Sequence, residues 1–266
     1  MARRRKKKKL TLFGRLIMDM FLVASLSVAG YSGWMLYSGL KEYSDSSNAY
    51  DQVKDVGRKD PVYVEAVEEP LGEDLHTLPE PVIDYEALKN VNPDFLGWIY
   101  LPDSMIDYPF VQGEDNEQYL YHLFTGEYNK SGSVFMEAEN DPNFNDTLTC
   151  LYAHHMRNGT MFADVENYKD PSYYETHKVI QIVTENAAYE MYPLAGMVSN
   201  GSVDYVKIDF GSEEEYLSYV DMFYQSSSFR GEETVQPFDK LMLLSTCSYD
   251  VVDGRFALLG KLVQVR

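Results

Sequence analysis

From residue 95 to the C-terminus, short apolar runs alternate with polar, turn-forming stretches. The runs are Phe95-Leu96-Gly97-Trp98-Ile99-Tyr100, Tyr108-Pro109-Phe110-Val111, Gly132-Ser133-Val134-Phe135-Met136, Leu148-Thr149-Cys150-Leu151-Tyr152-Ala153, Val179-Ile180-Gln181-Ile182-Val183, Ala188-Tyr189-Glu190-Met191-Tyr192, Lys240-Leu241-Met242-Leu243-Leu244 and Phe256-Ala257-Leu258-Leu259. Runs of this length bounded by turn residues read as strands, and so many in one segment predict a β-barrel or sandwich. Three stretches read as helix instead. A short one is expected over 84–90, with Pro93 close behind, and another over 162–168, ahead of Asp170-Pro171. The third opens with Ser212 and Glu215 in capping-box spacing, after which Tyr216, Leu217, Val220, Phe223 and Tyr224 recur at helical intervals to about residue 225.

The N-terminal part follows a different pattern. Residues 16–40 are mostly apolar, including Phe21, Leu22, Val23, Leu26, Val28, Trp34, Met35, Leu36 and Tyr37. A helix needs about 20 such residues to span a bilayer. The unbroken basic run 3–9 ahead of it predicts a cytoplasmic N-terminus, and Trp34 and Tyr37 suit the outer interface. Asp19 would cost ~2–3 kcal/mol at mid-membrane and less near the cytoplasmic edge, where it falls. The small residues Ser25, Ser27, Ala29 and Gly30 fit a cleaved signal peptide, but the apolar run outlasts a signal-peptide core, so an uncleaved anchor is expected. Beyond it, Ser44, Ser46, Ser47, Asn48 and the prolines at 61, 70 and 79 read as a flexible stalk. The expected organisation is a basic cytoplasmic segment over 1–15, a transmembrane anchor over 16–40, an extracytoplasmic stalk over 41–82 and one catalytic-sized domain over 83–266.

Charge sharpens this picture. The chain has 266 residues, and its 22 tyrosines and 13 phenylalanines favour a β-rich core. Its formal charge is −19, yet eight of the 23 basic residues lie in 1–15. Beyond Asp19 there are 15 basic and 41 acidic groups, a net of −26. Such a body repels nucleic acid and anionic lipid, so a nucleic-acid partner is not expected.

Candidate chemistry centres on Cys247, which ends one apolar run, and Arg255, which opens the next. Neighbouring strands joined by a short turn would carry a potential nucleophile and a potential anion stabiliser. The only other cysteine is Cys150, and sequence spacing leaves two readings open. The pair forms a disulfide, or Cys247 is a free working thiol and Cys150 a small buried hydrophobe. Of the five histidines, His76 falls in the stalk and His122 and His177 in polar surroundings. His154 and His155 end an apolar run and open a loop, a common position for functional side chains. In strand geometry they point to opposite faces, so one faces a site and the other does not. That, with no C-x-x-C or H-E-x-x-H spacing, argues against a metal; no metal or cofactor is expected.

Several stretches together resemble the class B sortases, the thiol transpeptidases of Gram-positive cell surfaces. The resemblance covers about residues 92–263. It rests on Phe95-Leu96-Gly97-Trp98-Ile99, Ile106-Asp107-Tyr108-Pro109-Phe110-Val111-Gln112-Gly113, Asp115-Asn116-Glu117-Gln118-Tyr119-Leu120, Gly132-Ser133-Val134-Phe135-Met136, Leu151-Tyr152-Ala153-His154-His155-Met156 with Gly159-Thr160-Met161-Phe162, and Leu244-Ser245-Thr246-Cys247 with Arg255 downstream. It implies a mainly β fold, an eight-stranded sortase-type β-barrel with helical additions. It implies Cys247 as nucleophile, His154 as acid/base partner and Arg255 as the oxyanion or substrate-positioning group. Asn116, Leu120, Tyr205, Val206 and Ser245 would contact substrate. Three positions depart from the family pattern: Ala153 where glycine is usual, Ser248 where some members are acidic, and Gly201 where a hydroxyl can stand.

The implied partners are a sorting-signal peptide of surface proteins, cleaved at a Thr-Gly or Thr-Asn type bond, and an acceptor amine on a peptidoglycan precursor or a pilin lysine. The membrane is engaged through the N-terminal helix, with the catalytic domain on the cell-wall side. A cysteine peptidase that releases its product to water shares the first half of this chemistry. A non-catalytic surface binding module is the remaining alternative.

Overall fold

The apolar runs of the C-terminal part become strands whose ends are set by the polar turns between them. The computed structural model describes residues 11–59, 80–200, 203, 205–248 and 253–266. The basic run 3–9, residues 60–79 of the expected stalk with His76, and Gly201 lie outside the described residues. In chain order the strands are β1 (Arg58–Lys59), β2 (Val82–Ile83), β3 (Phe95–Tyr100), β4 (Asp107–Val111), β5 (Val134–Met136), β6 (Leu148–Tyr152), β7 (Ile180–Thr184), β8 (Ala188–Asn200), β9 (Leu241–Ser248) and β10 (Gly254–Gln264). The helices are α1 (Leu12–Gly57), α2 (Tyr85–Val91), α3 (Pro171–Thr176) and α4 (Glu213–Ser226), with 3₁₀ turns over Gln118–Leu120 and Ala163–Lys169.

β1 and β2 pair with each other, and the other eight strands close into a barrel in the order β10-β8-β7-β3-β4-β5-β6-β9. The β4–β5 and β6–β9 pairs are parallel and the rest antiparallel. Alternation along β9 and β10 divides the apolar side chains between two clusters. Met242, Leu244, Phe256 and Leu258 join the larger one, while Leu241, Leu243, Ala257 and Leu259 join a second with Tyr216, Val220 and Phe223 of α4. An eight-stranded barrel has no room for a helix inside. The second cluster is therefore on the outer face, covered by α4.

The chain divides into two compact units, Met1–Asp45 and Ser46–Arg266. In the first, α1 carries exposed Phe13, Phe21, Leu22 and Trp34 and is long and apolar enough to cross a membrane. The second begins inside the same helix, which corrects the expected stalk. Residues 46–57 are helical, and Ser46, Tyr50, Val53 and Gly57 are buried along one face. The Tyr50 hydroxyl donates to the Gly132 carbonyl at 2.7 Å and its ring meets Tyr108 edge-on. Gly57 lies against Leu88, where a Cβ would come within 2.3 Å of the leucine Cγ. Asp107 gathers three donors here: Lys54 Nζ at 3.2 Å, Arg58 Nε at 3.1 Å and Trp98 Nε1 at 2.7 Å. The serines around position 46 suggest a linker, but the buried face recurs at helical spacing with tertiary partners, and packing outweighs composition.

The helix starts follow local chemistry. Asp84 caps α2 by accepting from Ala87 N at 3.0 Å. Asp170 accepts from Ser172 N at 2.9 Å and Pro171 supplies the first position of α3, a helix the apolar pattern did not suggest. Ser212 accepts from Glu215 N at 3.2 Å, as the capping box requires, but the reciprocal arm differs: Glu215 accepts from Gly211 N at 2.7 Å, one residue before the cap. The helical stretch expected over 162–168 is a 3₁₀ turn.

Replacing Asp107 with alanine removes the acceptor that Lys54, Arg58 and the Trp98 indole N–H share. We expect the barrel to lose about 2 kcal/mol of stability, the partly buried pair being discounted from the fully buried case. Urea unfolding of the detergent-solubilised chain checks this, and an unchanged midpoint would refute the anchoring role of Asp107.

Candidate active site

Two strand registers assemble the site. β9 and β10 pair so that Cys247 stands directly opposite Arg255, and Arg255 in turn faces Ser199 of β8. Directly opposed residues project from the same face, with Cβ atoms about 5 Å apart. By the alternation already described, this row lies on the outer face, past Leu243 toward the end of β9. Beside it, β6 runs parallel to β9 with Tyr152 opposite Ser245. The ladder continues one step past the strand: Ala153 N donates to Ser245 O at 3.2 Å, and Thr246 Oγ1 donates to Ala153 O at 2.9 Å. Pinned there, the next residue, His154, is delivered alongside Cys247.

His154, Cys247 and Arg255 line one cavity of about 390 Å³, together with Asn116, Leu120 and Ser245. That volume is within the range of ligand-binding clefts, roughly 300–1,000 Å³. Tyr121, Phe135, Tyr152, Ala153 and Thr246 complete the lining. Sequence reasoning assigned none of these five to the site, though it marked Ala153 as a departure from the family pattern; Phe135 and Tyr152 belong to apolar runs and read as ordinary core. Their rings pack together with centroids 5.3 Å apart. Tyr205 is not in the lining. It is buried behind it, its hydroxyl 2.8 Å from Ser245 Oγ, while Tyr219 of α4 donates to the Tyr205 carbonyl at 2.7 Å. Val206 packs half-buried against the outer-face cluster.

His154 Nε2 lies 2.8 Å from the Leu120 carbonyl oxygen. A carbonyl only accepts, so Nε2 carries the proton, and Nδ1 of the neutral ring remains for proton exchange. Burial lowers the His154 pKa below its ordinary 6.5; the Leu120 carbonyl opposes this and the Arg255 charge adds to it. Arg255 donates to the Gly254 carbonyl at 3.1 Å and, among the described residues, is the only permanently charged side chain lining the cavity. Cys247 is free and half-buried.

The second histidine diverges from the first, as strand alternation predicts. His155 Nδ1 lies 2.8 Å from a Glu166 carboxylate oxygen and 3.2 Å from the Cys247 carbonyl. Ser248 donates to Glu166 at 2.6 Å, and Lys169 pairs with the same carboxylate. This cluster braces the β9 backbone from outside the cavity. His122 bonds the Gln118 carbonyl and His177 stacks on Tyr173, both away from the cavity. Among the described residues no cluster of three or more His, Cys, Asp or Glu is arranged to hold a metal.

Both cysteines are free, which settles the disulfide alternative. Cys150 stands opposite Leu243, four residues along β9 from Cys247. At ~3.3 Å per residue that is about 13 Å, well beyond bridging distance. Cys150 is wholly buried in the cluster beneath α4, and burial pushes its thiol far above the ordinary range.

No family model matches the chain. It is similar to sortase B of Staphylococcus aureus, 31% identical over 183 residues that make up 68% of this chain and 75% of that protein. It is also similar to sortase B of Listeria monocytogenes, 30% identical over 240 residues, 90% of this chain and 93% of the relative. Among solved structures, a Staphylococcus aureus sortase B–substrate complex superposes with a TM-score of 0.65 at 30% identity, covering 68% of this chain and 85% of that one.

The electrostatics of His154 are directly measurable. Its imidazole should titrate below 6.5 in an NMR pH series, because burial and Arg255 both disfavour the cation. In Arg255→Ala the neighbouring positive charge is gone, so the midpoint should move up. A midpoint above 6.5 in the parent, or no upward movement in the variant, contradicts this reading.

Proposed function

The chain belongs to the sortase B family of cysteine transpeptidases, and we propose that within it Cys247 carries the acyl group, His154 moves the protons and Arg255 stabilises the oxyanion. The observation that carries this assignment is the direct pairing of Cys247 with Arg255 on β9 and β10, with His154 in the same cavity. Cys150 is instead buried in the cluster beneath α4, where burial raises its thiol pKa.

In the first half-reaction the Cys247 thiol gives its proton to His154 Nδ1, and the resulting thiolate attacks the carbonyl carbon of a Thr-Gly or Thr-Asn type bond in a sorting-signal peptide. The carbonyl oxygen gains negative charge beside the Arg255 guanidinium, whose interaction is stronger in the tetrahedral intermediate than with the neutral carbonyl. The C–N bond breaks as the His154 imidazolium gives its proton to the leaving amine, and a thioester remains on Cys247. In the second half an acceptor amine, on a peptidoglycan precursor or a lysine of another surface protein, attacks the thioester. His154 takes the proton, the new amide forms and the thiolate leaves. Asn116, Leu120 and Ser245, in the lining, are the proposed peptide contacts; Tyr205 and Val206 act from behind, through Ser245 and the outer-face cluster.

The basic run 3–9 ahead of the apolar part of α1 supports residues 1–15 in the cytoplasm and 16–40 in the membrane, with the acidic catalytic body on the cell-wall side. That side is where surface-protein signals and wall amines are found.

Incubating the detergent-solubilised chain with a peptide pool containing Thr-Gly and Thr-Asn bonds and triglycine as amine should give cleaved and transferred products. Cys247→Ala should give neither, and Arg255→Ala should lose ~10²-fold or more in kcat/KM. Turnover surviving in Cys247→Ala but lost in Cys150→Ala would overturn the assignment.

A further inference from the structure

Glu137 follows β5 directly and is 8% exposed, yet it does not line the cavity. A buried carboxylate ordinarily needs a cation, and among the described residues none stands within ion-pairing distance of this one. Its oxygens are satisfied by neutral donors. Asn116 Nδ2 donates to Oε1 at 2.6 Å and the Tyr152 hydroxyl donates to Oε2 at 2.6 Å. Both donors belong to cavity-lining residues, on elements separated in sequence: Asn116 from the loop after β4, Tyr152 from the end of β6.

We propose that Glu137 is a positioning residue of the peptide-binding pocket, its carboxylate fixing the side chains of Asn116 and Tyr152 that substrate meets. The orientation of Asn116 follows from the chemistry of its partners. Its Oδ1 accepts from Ala138 N at 2.9 Å, and a carboxylate can only accept from Nδ2, so the amide cannot be turned over without losing both bonds. One of its two N–H groups is thereby used and the other, without a partner among the described residues, is left as a donor at the cavity wall. Tyr152 is held by its hydroxyl with its ring against Phe135. Burial in the first place, then the adjacent Cys150 and Glu137, raise its pKa far above the ordinary phenol value, so it remains the neutral donor this arrangement needs. Hydrogen bonds to an ionised acceptor are about twice as strong as neutral ones, which suits two clamps that must hold while peptide enters and leaves. Gln112 fixes the carboxylate's own backbone by donating to the Glu137 carbonyl at 2.9 Å.

This proposal rests on the transpeptidase reading, and the experiment separates the two. Turnover by the parent chain and its loss in Cys247→Ala test that reading alone. Glu137→Gln keeps the volume but leaves one acceptor oxygen for two donors. We expect its KM for the Thr-Gly/Thr-Asn peptide pool to rise about tenfold, while kcat and the rate of Cys247 alkylation by iodoacetamide stay within about twofold, the signature of lost uniform binding. Added to an Asn116→Ala/Tyr152→Phe background, Glu137→Gln should change KM by less than about twofold, because the residues it acts through are already gone. An unchanged KM, an alkylation rate that falls in step with kcat, or a further tenfold loss in that background overturns the proposal. Should Glu137→Gln fail to fold, Asn116→Ala and Tyr152→Phe report on the shared carboxylate: their combined effect on KM should fall short of the product of the two, and strict additivity overturns the proposal.

Discussion

Everything in the site depends on strand register around β9. Cys247 and Arg255 meet because β9 and β10 pair with those two residues opposed. A slip of one residue in either strand would send one of them to the opposite face of the wall. The register is held by the apolar alternation that fills both sides, Met242 and Leu244 on one and Leu241 and Leu243 on the other. The geometry of the proposed catalytic residues is thus a by-product of core packing. The same strand positions the third member of the site, since its parallel pairing with β6 runs on through Ala153 to His154. One strand with two neighbours aligns three side chains from distant parts of the chain.

The electrostatic setting has a related logic. The chain beyond Asp19 carries a net charge of −26, which opposes both a thiolate and an oxyanion. Among the described residues of the cavity wall, however, Arg255 is the only permanent charge, and two described acidic residues nearby, Glu166 and Glu137, do not line it. Glu166 is engaged by His155, Lys169 and Ser248 behind β9, and Glu137 by Asn116 and Tyr152 behind the wall. The anionic intermediates of the proposed reaction would therefore meet a local cation inside a globally acidic body.

Much of this was legible in the sequence, for identifiable reasons. The eight strands were marked by apolar runs, α4 by its serine cap and helical spacing, and the opposed directions of His154 and His155 by strand alternation. Departures occurred where the deciding partner is distant in sequence. Residues 46–57 read as linker because Tyr50, Val53 and Gly57 are sparse among polar residues, and only their partners Gly132, Tyr108 and Leu88 give that face its meaning. Tyr152 and Phe135 read as core because nothing local tells a strand residue under a cavity from one under a helix. Glu137 carried no signal, since one acidic residue after a strand is the commonest surface pattern. Family resemblance, not spacing, supplied Asn116, Leu120 and Ser245, and the cavity brings those three together with His154, Cys247 and Arg255.

The central claim is that one particular sulfur carries the acyl group. Mass spectrometry of the chain quenched in acid during turnover of the Thr-Gly/Thr-Asn peptide pool, without acceptor amine, tests it most directly. The account predicts an acyl adduct, ending in the threonine carbonyl, on the proteolytic fragment containing Cys247 and absent from the one containing Cys150. An adduct on Cys150, or cleavage of the peptide with no adduct on either cysteine, would contradict it.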